Sequence, residues 1–221
     1  MRLALPFIIL FLAAGAHHSV AGTPAHTPVV GLPCEGCDAA LAGMPAQPAS
    51  SVQLAPPGEP GEPLRLTGIV RDAAQRPRAG VIVYAYQTDH TGIYPAAVDA
   101  PTDAARQHGR LRAWAATDAG GAYTFHTIRP GSYPDSDMPQ HIHLHVIEPG
   151  CATYYIDDVM FSDDPHLTPR FARELDIGRG GHGIVTPTRR DGVWEAQRDI
   201  VLGRNIDGYR DCTPQRDGPT P

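Results

Sequence analysis

The chain reads as an all-β protein, an antiparallel β-sandwich with long functional loops and an extended N-terminal arm. Three observations predict it. Of 221 residues, 23 are Gly and 23 are Pro, about a fifth in all, which excludes a long-helix or coiled-coil protein. Short runs rich in β-branched and aromatic residues recur along the chain with turn signals between them. No amphipathic helix of convincing length is visible, and only Pro169 to Leu175 hints at a helical turn.

Taken in order, Met1 and Arg2 lead into an apolar run from Leu3 to Ala16, followed by small residues that offer cleavage sites around Gly15, Ala16, Val20 and Ala21. That is a secretory signal pattern. The run is shorter than the roughly 20 residues of a spanning helix, which argues against the competing reading of a membrane anchor. Residues 1–21 are therefore expected to export a secreted or periplasmic protein that keeps no membrane attachment after cleavage. Residues 22–62, rich in Pro, Ala, Gly and Ser with no sustained period, read as the arm.

The sandwich is assigned to residues 63–204. Leu64 to Val70 alternates apolar with other residues, as a half-buried strand does. Asp72 to Pro77 supplies a turn and Gly80 to Tyr86 a second strand. Further strands are predicted at Arg112 to Thr117, Ala122 to Ile128, His141 to Glu148 and Asp199 to Leu202, punctuated by Asp118 to Gly121, Pro130-Gly131 and Pro149-Gly150. The connection from Gly92 to Gly109 is long for a hairpin, and long ordered loops are often functional. Residues 205–221 read as an irregular tail tied down through Cys212.

Composition narrows the function classes. With 42% hydrophobic and 19% charged residues the chain is too apolar to be disordered. A net charge of -6 without a basic run argues against nucleic acid as a partner. Cys34, Cys37, Cys151 and Cys212 are an even number in a chain that carries an export pattern, which points to disulfides. Three pairings are open, of which Cys34 to Cys37 with Cys151 to Cys212 is preferred. Zinc or redox use of Cys34-Glu35-Gly36-Cys37 lacks a second CxxC.

The densest chemistry is His141-Ile142-His143-Leu144-His145. Side chains alternate faces on a strand, so the three imidazoles share one side, and imidazole nitrogens suit transition metals. The bland alternative is a polar strand edge facing solvent. Tyr133 follows the Pro130-Gly131 turn, and Tyr94 lies similarly beyond the second strand. A phenol with a pKa near 10 ionises at neutral pH only beside a strongly Lewis-acidic ion, ferric iron among them. Each tyrosine alone also reads as an ordinary half-buried aromatic. His145 reads as a polar neighbour rather than a ligand, and His90, His108, His126, His166 and His182 as surface residues. Asp157-Asp158 reads as solvated charge rather than a calcium site.

Gly92-Ile93-Tyr94, then Asp118 to Phe125, Thr127 to Pro134 and His141 to His143 together resemble the intradiol ring-cleavage dioxygenases, over roughly Leu64 to Leu202. The resemblance implies a non-haem Fe(III) site inside a β-sandwich, with Tyr94, Tyr133, His141 and His143 as ligands and no organic cofactor. It also implies a catecholic substrate and O2, with Tyr133 displaced by the substrate and taking one of its protons. Two positions depart from the pattern: Met138 stands where an Arg three residues before the first His steadies charge on the substrate ring, and Asp158 stands where a Gln is usual. A different class, a non-catalytic transthyretin-like or carboxypeptidase-regulatory-like binding module, shares the strand and turn grammar but has no need of the four-residue set. A copper protein built on the histidine strand would leave both tyrosines unexplained. The pattern specifies no oligomeric state.

Overall fold

The β-branched and aromatic runs become strands because their side chains fill two layers at once. The computed structural model describes residues 27–34 and 36–212. The predicted export signal, residues 1–21, lies outside the described residues, as do Glu35 and the end of the tail, 213–221. Among the described residues no helix is long and apolar enough to cross a membrane.

Two sheets face each other. The first is ordered β1 (Ser51–Gln53), β5 (Ala122–Ile128), β2 (Pro63–Arg71), β10 (Val193–Gln197), β9 (Thr188–Arg190), with β11 (Ile200–Val201) pairing the far end of β2. The second is ordered β4 (Arg112–Ala116), β3 (Ile82–Tyr86), β6 (His141–Glu148), β7 (Ala152–Phe161), β8 (Ile184–Val185). Leu66 and Phe125 of the first sheet meet Val83, Ala85, Ile142, Leu144 and Val146 of the second in the main core. Burying each such side chain stabilises the fold by about 1.5–3 kcal/mol.

The sheets are mixed, which corrects the antiparallel-only expectation. The pairs β1 with β5, β10 with β2, β11 with β2 and β7 with β8 are all parallel. The hairpin-linked strands are antiparallel as expected. The parallel ones enter from the arm and from the excursion after α3 (Pro169–Leu175), where no tight turn dictates direction.

The arm is also more structured than its composition suggests. Besides β1 it carries α1 (Cys37–Ala40), whose Cys37, Ala39 and Ala40 are buried, and Leu54 and Ala55 enter the core. Val29 bridges Thr153 at its start. At the other end Ile206 is buried and Cys212 is bonded to Cys151, while Cys34 is bonded to Cys37.

The decisive strand is β6, all eight residues of which are buried. Its Ile142, Leu144 and Val146 face the main core. The opposite, outer face of the same sheet carries a second cluster built on Ile82, Tyr84, Tyr86, Trp114 and Ala40. Cross-strand register sets Tyr86 opposite His143, and Tyr84 and Tyr155 opposite His145. The histidine face is therefore the outer one, roofed by α1 and by α2 (Asp103–Gln107), rather than the space between the sheets. The Trp114 indole N–H donates to the Ala40 carbonyl at 2.6 Å and fixes that roof.

Candidate metal centre

Two loops that the sequence keeps 39 residues apart are zipped together to bring Tyr94 beside Tyr133. The Asp89 carboxylate accepts from Thr91 N at 2.8 Å and from Ile93 N at 3.2 Å, a turn that throws Tyr94 back over the sheet. The Asp89 carbonyl accepts from Gly92 N and from Gly131 N, while Thr88 Oγ1 donates to the Gly131 carbonyl at 2.9 Å. Gly92 has φ +84°, and a Cβ there would lie 1.8 Å from the Ser132 carbonyl oxygen. Gly131 is also too tight for a side chain, with the Gly92 nitrogen 2.5 Å from where its Cβ would stand. Glycine at both positions is what permits the crossing.

Four donor atoms converge as a result. The Tyr94 and Tyr133 hydroxyls are 2.6 Å apart. Tyr133 Oη lies 3.0 Å from His141 Nε2 and 3.4 Å from His143 Nε2, and Tyr94 Oη lies 2.9 Å from His143 Nε2. Both imidazoles are held through the other ring nitrogen. His141 Nδ1 is 2.7 Å from the Pro139 carbonyl oxygen, and His143 Nδ1 is 3.0 Å from Asp158 Oδ1. A carbonyl or carboxylate oxygen only accepts, so each Nδ1 carries the proton and each Nε2 presents a lone pair to the tyrosines.

Asp158 reaches this position through a break in the alternation of β7. The register shifts by one residue opposite His143, where β7 carries both Asp157 and Asp158. Such a bulge re-aims side chains. Without it, Tyr155 and Asp158 would face opposite sides; with it, both lie on the histidine face, and the Tyr155 hydroxyl donates to Asp158 Oδ1 at 2.6 Å. Asp157 is fully buried and takes Arg179 Nε at 2.8 Å and Gly178 N at 2.6 Å. Arg198, also buried, donates to the carbonyls of Arg179 and Gly181 and holds that loop against the bulge. Burial alone would raise the Asp158 carboxyl. The charge and hydrogen bond of His143, with smaller contributions from His141 and Tyr155, outweigh it and leave its pKa below the usual carboxylate value. The reading of Asp157-Asp158 as solvated charge is thus corrected.

Ionisation of the tyrosines depends on what stands beside them. Burial first, then the short bond to Tyr133, pushes the Tyr94 phenol far above its ordinary value. It gives up its proton only to a strong positive charge in the site. Two phenol oxygens and two imidazole nitrogens, linked by contacts of 2.6 to 3.4 Å and with the imidazoles held in the ligating tautomer, are a donor set fitted to a hard, Lewis-acidic transition-metal ion.

Other predicted residues fall outside this group. Met138 is half-buried on the loop before β6, its N–H donating to Ser136 Oγ, and is not among the residues lining the pocket described below. Arg129, just after β5, and Arg112, on β4, do not line that pocket either. Arg129 pairs with both oxygens of Asp163 and lies over Trp194, while Arg112 reaches the Ala42 carbonyl and lies over Trp114. His145 is one step further along β6, packed against the Tyr84 and Tyr155 rings. Its nearest sulfurs, Cys34 and Cys37, are already joined to each other.

The sequence reading missed His108, which is buried rather than at the surface. Its ring stacks on Tyr86 at 3.7 Å between centroids, and Tyr86 in turn stacks on His143 at 4.4 Å. Burial, then the neighbouring charges of His143 and Arg112, pushes the His108 pKa down to about 4. Tyr86, His108, Tyr94, Tyr133 and His143 line a pocket of about 230 Å³ that α1 and α2 rim with Asp38 and Gln107. A larger groove of about 670 Å³ lies across the first sheet near Arg65, His126 and Glu195. Its lining brings no comparable set of donor atoms together, so we place the chemistry in the smaller pocket.

Comparison with known proteins agrees with this geometry. Residues 42–177 match the protein family described as Dioxygenase. The protocatechuate 3,4-dioxygenase beta chain of Burkholderia cepacia is 34% identical over 167 residues, which is 69% of this chain and 67% of that protein. Among solved structures, the dioxygenase domain of a dioxygenase carbohydrate-binding protein fusion from Streptomyces sp. SirexAA-E is 26% identical, with TM-score 0.53, covering 72% of this chain and 93% of that one. Catechol 1,2-dioxygenase from Acinetobacter sp. ADP1 has the same fold, at 22% identity and TM-score 0.56 over 76% of this chain and 61% of that one.

Proposed function

We propose, since the chain belongs to the intradiol ring-cleavage dioxygenase family, that it holds Fe(III) on Tyr94, Tyr133, His141 and His143 and uses O2 to open catecholic rings between the two hydroxylated carbons, giving muconate-type diacids. The observation that carries this reading is the convergence of two phenol oxygens with two Nε2 lone pairs whose tautomers are fixed from behind by Pro139 and Asp158. When bound there, ferric iron supplies the positive charge that ionises both phenols and the substrate hydroxyls.

The chain's own residues supply the rest. Tyr133, on the loop after Gly131 and lining the pocket, would be the phenolate that gives way to the substrate and takes up a catechol proton. Tyr94, more firmly held by the Asp89 turn, stays. Asp158 and the Pro139 carbonyl keep the imidazoles aimed, and the stacked rings of Tyr86 and His108 keep water off one side of the site. The two disulfides and the N-terminal pattern support a secreted or periplasmic location for this activity.

The test is direct. Iron-loaded protein is expected to hold about one iron per chain and show a phenolate-to-iron absorption band in the visible. With catechol it should consume O2 and yield a diacid heavier than the substrate by both oxygen atoms. Protein that remains colourless and metal-free after iron loading would overturn the reading in favour of a binding module.

A further inference from the structure

Resting on the catechol-cleaving reading, we propose that the pocket selects substrates by charge: it takes catechols with neutral or positively charged ring substituents and turns away carboxylated ones, with Asp38 as the specificity-determining residue. Apart from the histidines, Asp38 is the only charged side chain among the described residues that line the pocket, and no arginine is among them. The chain contains no lysine, so all 18 of its basic residues are arginines.

The arginines on the surrounding elements are engaged elsewhere. On α2, Arg106 turns to Asp103 and the Ala100 carbonyl. Arg110 grips both oxygens of Glu59 at 2.7 and 2.8 Å. On β4, Arg112 is spent on the Ala42 carbonyl and the Tyr84 hydroxyl. Behind Tyr155, Arg179 pairs with buried Asp157. A carboxylate substituent on the ring would lose water and meet no basic side chain other than histidine among the described lining residues, and it would do so beside an acid on a chain of net charge -6.

Asp38 is presented from a rigid place although its side chain is exposed. Its neighbours Cys37, Ala39 and Ala40 are buried, Cys37 is bonded to Cys34, and Ala40 is held by Trp114. Gly36, with φ +69°, lies so close to His108 that a Cβ would come within 2.5 Å of its Nε2. The backbone that carries the carboxylate is therefore held at the rim, where the charge favours an ammonium-bearing substituent over an anionic one by several-fold at low salt.

The experiment compares catechol, 3,4-dihydroxybenzoate and 3,4-dihydroxyphenethylamine on iron-loaded full chain. Binding is measured by calorimetry without O2, and kcat/KM with it, at low and high salt. Wild type should prefer the amine to the carboxylate by about tenfold or more at low salt, with the preference shrinking as salt is added. Asp38→Asn should reduce the ratio about threefold, and Asp38→Lys should reverse it in both binding and kcat/KM. Tighter binding of the carboxylate by wild type, or a ratio unmoved in Asp38→Lys, overturns the proposal while leaving ring cleavage intact. Failure of all three compounds to bind, catechol included, overturns the ring-cleavage reading and this inference with it.

Discussion

The two faces of β6 are made by alternate residues of one strand, yet they do different work. Ile142, Leu144 and Val146 enter the apolar core between the sheets, where any hydrophobic group of the right volume serves. His141 and His143 stand on the other face, where each ring nitrogen has a designated partner. Burial is nearly the same on both sides. What differs is that one face is tuned by volume and the other by direction, and the fold places the directional face outside the sandwich so that a pocket can open onto it.

Exchanging damage between the faces breaks this contrast most sharply. His143→Ala removes one donor and opens the site, and iron bound after loading is expected to fall from about one per chain to near zero, while the thermal transition of the metal-free protein shifts little. Leu144→Ala, one residue away, is expected to do the reverse. It should cost about 2–5 kcal/mol in stability as the cavity it leaves goes unfilled, with full iron content in the protein that remains folded. Metal analysis beside denaturant melts reads both, and loss of iron in Leu144→Ala at a temperature where it is folded would contradict the separation.

A finer cut is available behind His143. The Asp158 carboxylate holds the Nδ1 side of the ring and accepts from the Tyr155 hydroxyl. Asp158→Ala should weaken iron binding by about 10–100-fold. Asp158→Asn, whose amide oxygen still accepts from Nδ1, should recover most of that loss. Competition against a chelator of known affinity measures it, and equal losses in the two variants would show that Asp158 acts by filling space instead.

How much of this was legible in the chain depends on how far each signal travels. The histidine strand declared itself because alternation is local, whereas the two tyrosines joined it only through the resemblance to the intradiol dioxygenases carried by Gly92-Ile93-Tyr94 and Thr127 to Pro134. The bulge in β7 was not legible. Asp157-Asp158 looks like a surface pair, and only the register against His143 shows that one acid turns to the site and the other into the interior. The short parallel edges β1, β8 and β11 have too few residues to show a period. His108 was missed because its partners, Tyr86 and Gly36, are 22 and 72 residues away in sequence. The unusual length of the 92–109 connection was the one hint that something in it is buried.

His108 extends the directional face outward and gives it a pH signature. In the unfolded chain its imidazole titrates near 6.5, whereas in the fold, burial first and nearby charge second hold its pKa at about 4. Above about pH 6.5 the ring is neutral in both states and costs nothing. As pH falls towards 4 the unfolded chain takes up the proton first, so stability is lost across that window. Allowing for solvent screening, the loss at pH 5 is expected to be about 1 kcal/mol. His108→Phe, which keeps a flat ring against Tyr86, should flatten this part of the stability profile in melts at pH 7 and pH 5. An unchanged profile would assign the acid sensitivity to other groups.

The smallest effect is expected at Met138, where sequence reasoning alone argues for a large one. A guanidinium beside charge developing on the substrate ring can be worth about two to three orders of magnitude in rate, provided it reaches the ring. Met138 precedes Pro139, whose carbonyl holds His141, but its side chain is half-buried outside the lining of the pocket, and its N–H is tied to Ser136. An arginine placed there has Asp135 and Asp137 close by in sequence to attract it. Met138→Arg is therefore expected to change kcat/KM for catechol by less than about threefold, with iron content unchanged. A gain of a hundredfold would mean that the loop before β6 closes over the substrate, and that the directional face reaches one residue further than the outer surface of the sheet defines it.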